Sequence, residues 1–84
     1  MTIDPDGPVP IYQQVAAIIR GRIDRGELAE NRPIPSKQHL QAEFGVAKGS
    51  VERALDQLKA DGYIHTVIGR GMYVVPAAER PRQS

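Results

Sequence analysis

The sequence predicts a small α+β domain, three helices followed by a two-stranded hairpin, and three observations carry that prediction. Apolar residues recur at helical spacing in three successive segments, stopped in turn by Gly26, Gly45 and Gly62. After Gly62 the apolar period falls from about 3.6 residues to 2 over two short runs rich in β-branched and aromatic residues. Between those runs stands Gly69-Arg70-Gly71, a tight-turn signal with a cation at its tip.

Taken in order, residues 1–8 hold Pro5, Gly7 and Pro8, cannot start a helix, and read as a flexible, extended lead-in. Pro10 suits the first helical position, where its missing N–H is no loss. Ile11, Val15, Ile18, Ile19 and Ile23 then give one apolar face, with Gln13, Gln14, Arg20, Arg22 and Asp24 opposite. Leu28, just past Gly26, is expected to fold back onto that face. Pro33 and Pro35 make the next stretch an extended connector. Ser36 is a good N-cap for a short second helix over Lys37–Phe44, with Leu40 and Phe44 as its apolar pair. A turn at Gly45-Val46-Ala47 leads to a third helix from Lys48 to Asp61, whose stripe is Val51, Ala54, Leu55 and Leu58. Tyr63–Ile68 and Met72–Val75 are the expected strands; Pro76 ends the second, and residues 77–84 read as a disordered tail.

Composition narrows the function classes. Eighty-four residues hold one core and no more. With no cysteine there is neither a disulfide framework nor a thiolate zinc site, and a reducing cytoplasm is the default expectation. The apolar runs are far shorter than the roughly 20 residues of a membrane span, and the acidic start does not read as a signal peptide. Net charge is +1. Its distribution is uneven: three basic residues face five acidic ones up to Asn31, whereas six face four over residues 32–75. The basic excess in the middle of the chain points weakly to an anionic partner.

A short helix, a glycine turn and a second amphipathic helix form a helix-turn-helix arrangement, whose second helix can lie in a DNA major groove. With Val51 facing the core and about 100° per residue, Gly49, Glu52, Arg53 and Asp56 point outward at roughly 160°, 100°, 200° and 140°. Gly49 is costly in a helix, so its place on the exposed first turn calls for a reason, and close approach of backbone to phosphate supplies one. An ordinary three-helix core with a solvated charged face fits the same periodicity. Arg70, flanked by Gly69 and Gly71, suits entry into a minor groove or a phosphate contact; a turn with an incidental arginine is the alternative.

Several spaced motifs now stand together. They are Pro10-Ile11-Tyr12-Gln13-Gln14-Val15, Gly26-x-Leu28, Ile34-Pro35-Ser36, Phe44-Gly45-Val46, Val51-x-x-Ala54-Leu55-x-x-Leu58, Asp61-Gly62-Tyr63-Ile64 and Gly69-Arg70-Gly71-x-Tyr73-Val74. In this order and spacing they resemble the winged helix-turn-helix DNA-binding domain of GntR-type bacterial transcription regulators, over residues 9–76. The resemblance implies three helices and a two-stranded wing. It also implies operator binding as a homodimer on pseudo-palindromic double-stranded DNA, with the third helix in the major groove and the wing tip in the minor groove. A repressor is the expected role, and a winged helix repurposed for protein–protein contact is the alternative.

Carried over residue by residue, the resemblance makes Lys37, Gln38, Lys48, Gly49, Ser50, Glu52, Arg53, His65, Gly69, Arg70 and Gly71 the candidate DNA-binding positions. Some depart from the family pattern. Lys37 and Gln38 stand where an acidic residue and often an arginine follow the Pro-Ser pair. Lys48 keeps the charge of a usual arginine but loses its bidentate fork. Ser50 keeps a hydroxyl suited to phosphate. Glu52 replaces a DNA-contacting arginine with the opposite charge, and Arg53, one position on, is the candidate to take over its contact. His65 is a candidate phosphate donor on the wing. No cofactor, metal or catalytic constellation is expected: His39 and His65 lie on different elements, and Gly69-x-Gly71 lacks the rest of a dinucleotide fingerprint.

Overall fold

A computed structural model describes residues 3–80. The element order is α1 (Ile11–Asp24), α2 (Lys37–Phe44), α3 (Lys48–Ala60), β1 (Ile64–Val67), β2 (Gly71–Val74) and one 3-10 turn, Ala77–Glu79. Three helices and an antiparallel hairpin are the architecture that the apolar periods predict.

Helix α1 begins one residue later than expected. Pro10 is its N-cap, with ψ of 146°, and its carbonyl accepts from the N–H groups of Gln13 and Gln14. The lead-in is tied to this helix rather than loose over its described part. The Gln14 side chain accepts from the Asp4 N–H and donates to the carbonyls of Asp4 and Val9, each at 2.7 Å. Helix α2 starts where the Ser36 cap predicts, and Ser36 Oγ accepts from the His39 N–H at 3.1 Å. Helix α3 closes with left-handed Gly62: its N–H bonds to the Lys59 carbonyl and that of Tyr63 to the Leu58 carbonyl. That paired C-terminal bonding needs a positive φ, which glycine adopts without strain.

The core lies between α1 and α3, capped by α2 and the hairpin. Val15, Ile19 and Ile23 meet Val51, Ala54, Leu55 and Leu58, with Leu40, Tyr63, Ile64 and Val74 closing the ends. Leu28 folds back onto this cluster as its spacing predicts. Each large side chain so buried contributes about 1.5–3 kcal/mol, so the outward residues of α3 are free to serve something other than the fold.

β1 is shorter than its apolar run, and β2 keeps the expected length but starts and ends one residue earlier. The register pairs Ile64 with Val74 and Val67 with Gly71. The Arg70 N–H bonds back to the Val67 carbonyl at 3.0 Å, which closes the turn and lifts Ile68 off the ladder. The connector holds a further surprise: it runs antiparallel along the free edge of β2. Asn31 and Ile34 donate to the carbonyls of Val74 and Met72, and Val74 donates to Arg32. Pro33 sits opposite Tyr73, between those bonds, where no N–H is needed. Two prolines read as forbidding a helix; Pro33 nevertheless fits an isolated β-bridge at the sheet edge, and that bridge ties the connector to the wing.

The tail differs from expectation as far as Arg80. The Ala77 N–H donates to Glu30 at 2.6 Å, and the Arg80 guanidinium pairs with Asp24 at 3.3 Å and lies over the Tyr63 ring. These contacts hold residues 77–80 against the end of α1, the connector and Tyr63, whereas residues 81–84 of the predicted tail lie outside the described residues. Met1 and Thr2 of the lead-in do so too.

Candidate nucleic-acid interface

Three parts of the fold converge along one edge: the start of α2, the first turns of α3 and the wing. Lys37, the first residue of α2, pairs through Nζ with Glu52 Oε2 of α3 at 3.3 Å. A cleft of about 330 Å³ opens beside this pair, walled by Pro33–Lys37 on one side and Arg70–Met72 on the other, with Leu55 at its base. Lys37 and Arg70 therefore stand on opposite walls of one depression. Lys48 lies one helical turn before Glu52 on the same face of α3.

The helices are fixed relative to one another by charge as well as by packing. Arg22 of α1 makes a two-pronged ion pair with Glu43 of α2, and its guanidinium lies over the Phe44 ring. That hydrogen bonding holds the Glu43 carboxyl below its ordinary value and raises Arg22 above its own. Arg20 of α1 reaches Asp61 at the end of α3 at 3.0 Å. These links hold α2 and α3 at a set angle.

The candidate positions divide into two groups by exposure. Gln38, Lys48, Gly49, Arg53, His65, Gly69, Arg70 and Gly71 are exposed, while Ser50, Lys37 and Glu52 are half-buried. Lys48 and Arg70 have no ion-pair partner among the described residues, nor has Arg32 on the braced connector. Lys37 and Glu52 neutralise each other. Arg53 stands apart, its guanidinium stacked 4.1 Å from the centre of the Tyr12 ring of α1. Adjacent residues of α3 thus face opposite neighbours, Glu52 toward α2 and Arg53 toward α1. His65 lies on β1 opposite Tyr73, away from the turn.

Gly49 is surrounded by open space: a Cβ built there meets nothing within 4 Å. Nothing inside the protein requires the glycine. At the wing, Gly69 has φ of 78° and Gly71 of 111°, so the apex needs both glycines for its backbone.

Two features of this edge escaped the sequence. Tyr12 as the seat of Arg53 has no local signal, because α1 and α3 meet only in the tertiary fold. The pairing of Lys37 with Glu52 does leave a trace, since opposite charges stand at the two positions that depart most from the family pattern. Among the described residues no three His, Cys, Asp or Glu side chains gather as they would around a metal ion, and no helix is long and apolar enough to cross a membrane.

A helix-turn-helix braced by a hairpin with a cation at its tip is a winged helix-turn-helix domain. The model of the bacterial regulatory proteins, gntR family, matches residues 11–74, and the chain belongs to that family. It is 34% identical over 74 residues to the HTH-type transcriptional repressor NagR of Bacillus subtilis (strain 168), a match covering 88% of this chain and 30% of that protein. Among solved structures it is similar to YtrA from Sulfolobus acidocaldarius, a GntR-family transcription factor, with a TM-score of 0.80 and 33% identity over 89% of this chain and 79% of that one. It is also similar to the AraR DNA-binding domain in complex with operator ORE1, with a TM-score of 0.75 and 30% identity over 80% of this chain and 82% of that one. The chain spans less than a third of the length of the curated relatives it matches.

Proposed function

We propose that this chain binds operator DNA as the reading domain of a transcription repressor in the cytoplasm. It engages pseudo-palindromic double-stranded DNA as a homodimer, and its role is recognition without catalysis. α3 enters the major groove, where Lys48, Ser50 and the Gly49 backbone meet phosphate and Arg53 reads a base edge. The wing enters the adjacent minor groove through Gly69-Arg70-Gly71, with His65 on the phosphate wall and Gln38 at the start of α2 beside the backbone. The observation that carries this reading is the convergence of α2, α3 and the wing on one edge, with Lys37 and Arg70 across a single cleft. Membership of the family and the operator-bound AraR domain support it.

The test is titration of the chain with duplexes selected from a random pool, at two salt concentrations. Arg32, Lys48 and Arg70 lack an ion-pair partner among the described residues and are left for the backbone, so about three phosphates are neutralised per subunit. Log K then falls with log salt at a slope near −3 per monomer. Association that ignores salt would instead make this a protein–protein module.

A further inference from the structure

Operator binding as described leaves one side chain of the wing without a role. Ile68 is 97% exposed, against 46% for Val9, the other exposed large apolar residue among those described. A solitary exposed apolar side chain is ordinary on a protein surface. Ile68 is set apart by where the backbone puts it. The bond from the Arg70 N–H to the Val67 carbonyl makes Ile68 and Gly69 the two central residues of a turn. Gly69 has a positive φ and Ile68 does not, the pattern of a type II turn with Ile68 at its outer corner. The apex therefore presents an isoleucine and, two residues on, an arginine with no ion-pair partner among the described residues.

We propose that Ile68 is a minor-groove probe that selects A·T base pairs under the wing, an inference that rests on the operator-binding reading above. The minor groove is about 6 Å wide, which admits a narrow hairpin tip but not a helix. Its walls are deoxyribose rings, apolar enough to receive a branched alkyl side chain. Its floor differs between base pairs in one group. A·T and T·A offer only acceptors, while G·C adds the guanine N2 amino donor at the centre of the floor. The methyl groups of Ile68 cannot accept that donor's hydrogen bond. Seated over G·C, they strip water from the amino group and leave it unpaired, a penalty absent over A·T. Arg70 acts in the same direction, because the narrow groove of A·T-rich sequence concentrates negative potential. The cation draws the wing in, and the isoleucine decides which floor it tolerates. A protein or lipid surface is a poor match for the same tip: the isoleucine has no second exposed large apolar neighbour on the wing, and a cation stands beside it.

The experiment starts from the duplex selected by the parent chain. Base pairs flanking its core are replaced in turn by A·T, G·C or inosine·C, which keeps the major-groove face of G·C but lacks the N2 amino group. At the wing positions the parent should bind inosine·C within about twofold of A·T, and G·C about tenfold more weakly, the ordinary scale for one disfavoured base pair. Ile68→Ala should narrow the G·C penalty to under about threefold. Its melting temperature should match the parent's, since the side chain is outside the core. If inosine·C and G·C bind alike, or if Ile68→Ala keeps the full penalty while operator binding is intact, the assignment of Ile68 is wrong. If no duplex binds even at low salt, operator binding itself fails and Ile68 loses its role with it.

Discussion

Gly49→Ala separates the needs of the fold from those of the partner, because it should move them in opposite directions. Position 49 is the second residue of α3, exposed, with open space where a methyl group would go. Alanine there meets no steric penalty and loses less backbone entropy than glycine on folding, which stabilises the helix by about 0.5–1 kcal/mol. For a domain of this size that is a rise of about 2–8 °C in melting temperature. On DNA the same methyl group intrudes between the helix backbone and the phosphate it approaches. Loss of that approach should cost at least about 1 kcal/mol, or fivefold in Kd. Thermal denaturation by circular dichroism and duplex titration by fluorescence anisotropy read the two effects on one preparation. A variant both more stable and equally tight on DNA would refute the close approach and leave Gly49 without a functional reason. A variant that is less stable would refute the reading of the open space around it.

Three other perturbations test separate parts of the interface. Glu52→Gln releases Lys37 from its 3.3 Å partner and removes a negative charge from the face of α3; the salt slope should steepen by about 0.9, so between 200 and 50 mM salt the variant gains about 3.5-fold more affinity than the parent. Its stability should change little, since a half-exposed, solvent-screened pair contributes about 0–1 kcal/mol, and an unchanged slope would place position 52 away from DNA. Arg53→Ala should abolish preference at a guanine position, a discrimination of about 1–3 kcal/mol in competition titrations; equal weakening on every sequence would make Arg53 a phosphate contact instead. Glu43 has its carboxyl lowered from 4.5 mainly by the Arg22 hydrogen bond, so its stabilising contribution is present above that value and disappears as pH falls through the lower folded one. Melting curves of the parent and Glu43→Gln should therefore differ at pH 7 and converge in acid, and a gap independent of pH would deny the pair a role in stability.

What the sequence made legible follows the range of the interactions involved. Helix α2 was readable to the residue, because Ser36 and Gly45 punctuate it locally. The core stripe of α3 was equally plain, since Val51, Ala54, Leu55 and Leu58 are all buried and lie within two turns of one another. The β-bridge of the connector was not readable: its partner, β2, lies some forty residues on, and its prolines argue against strand pairing as strongly as against helix until the bonding register is known. Ile68 went to the wrong element for a related reason. As the last member of an alternating run it reads as strand, whereas the positive φ at Gly69 makes it a turn corner. The candidate DNA-binding positions could be listed from the sequence, but which of them engage one another, as Lys37 does Glu52, could not.

Those engagements change how the recognition helix is understood. Lys37 and Glu52 each depart from the family pattern, a cation where an acidic residue is usual and a carboxylate where a DNA-contacting arginine is. At 3.3 Å from each other they are one change, an ion pair that joins α2 to α3. Arg53 is likewise not a loose side chain. Its guanidinium rests on Tyr12, a cation–π contact of about 0.5–1 kcal/mol at an exposed site. An arginine so restrained loses less rotamer freedom on meeting a base than a solvated one, which sharpens discrimination without adding a contact. Under the proposed function, the α3 side chains offered to DNA are thus set by α1 and α2, from residues that need not touch a base. Transplanting Lys48–Ala60 alone into a related domain would leave Glu52 without Lys37 and Arg53 without Tyr12. If the proposed reading holds, sequence preference is a property of the three-helix assembly, and α3 is only its exposed face.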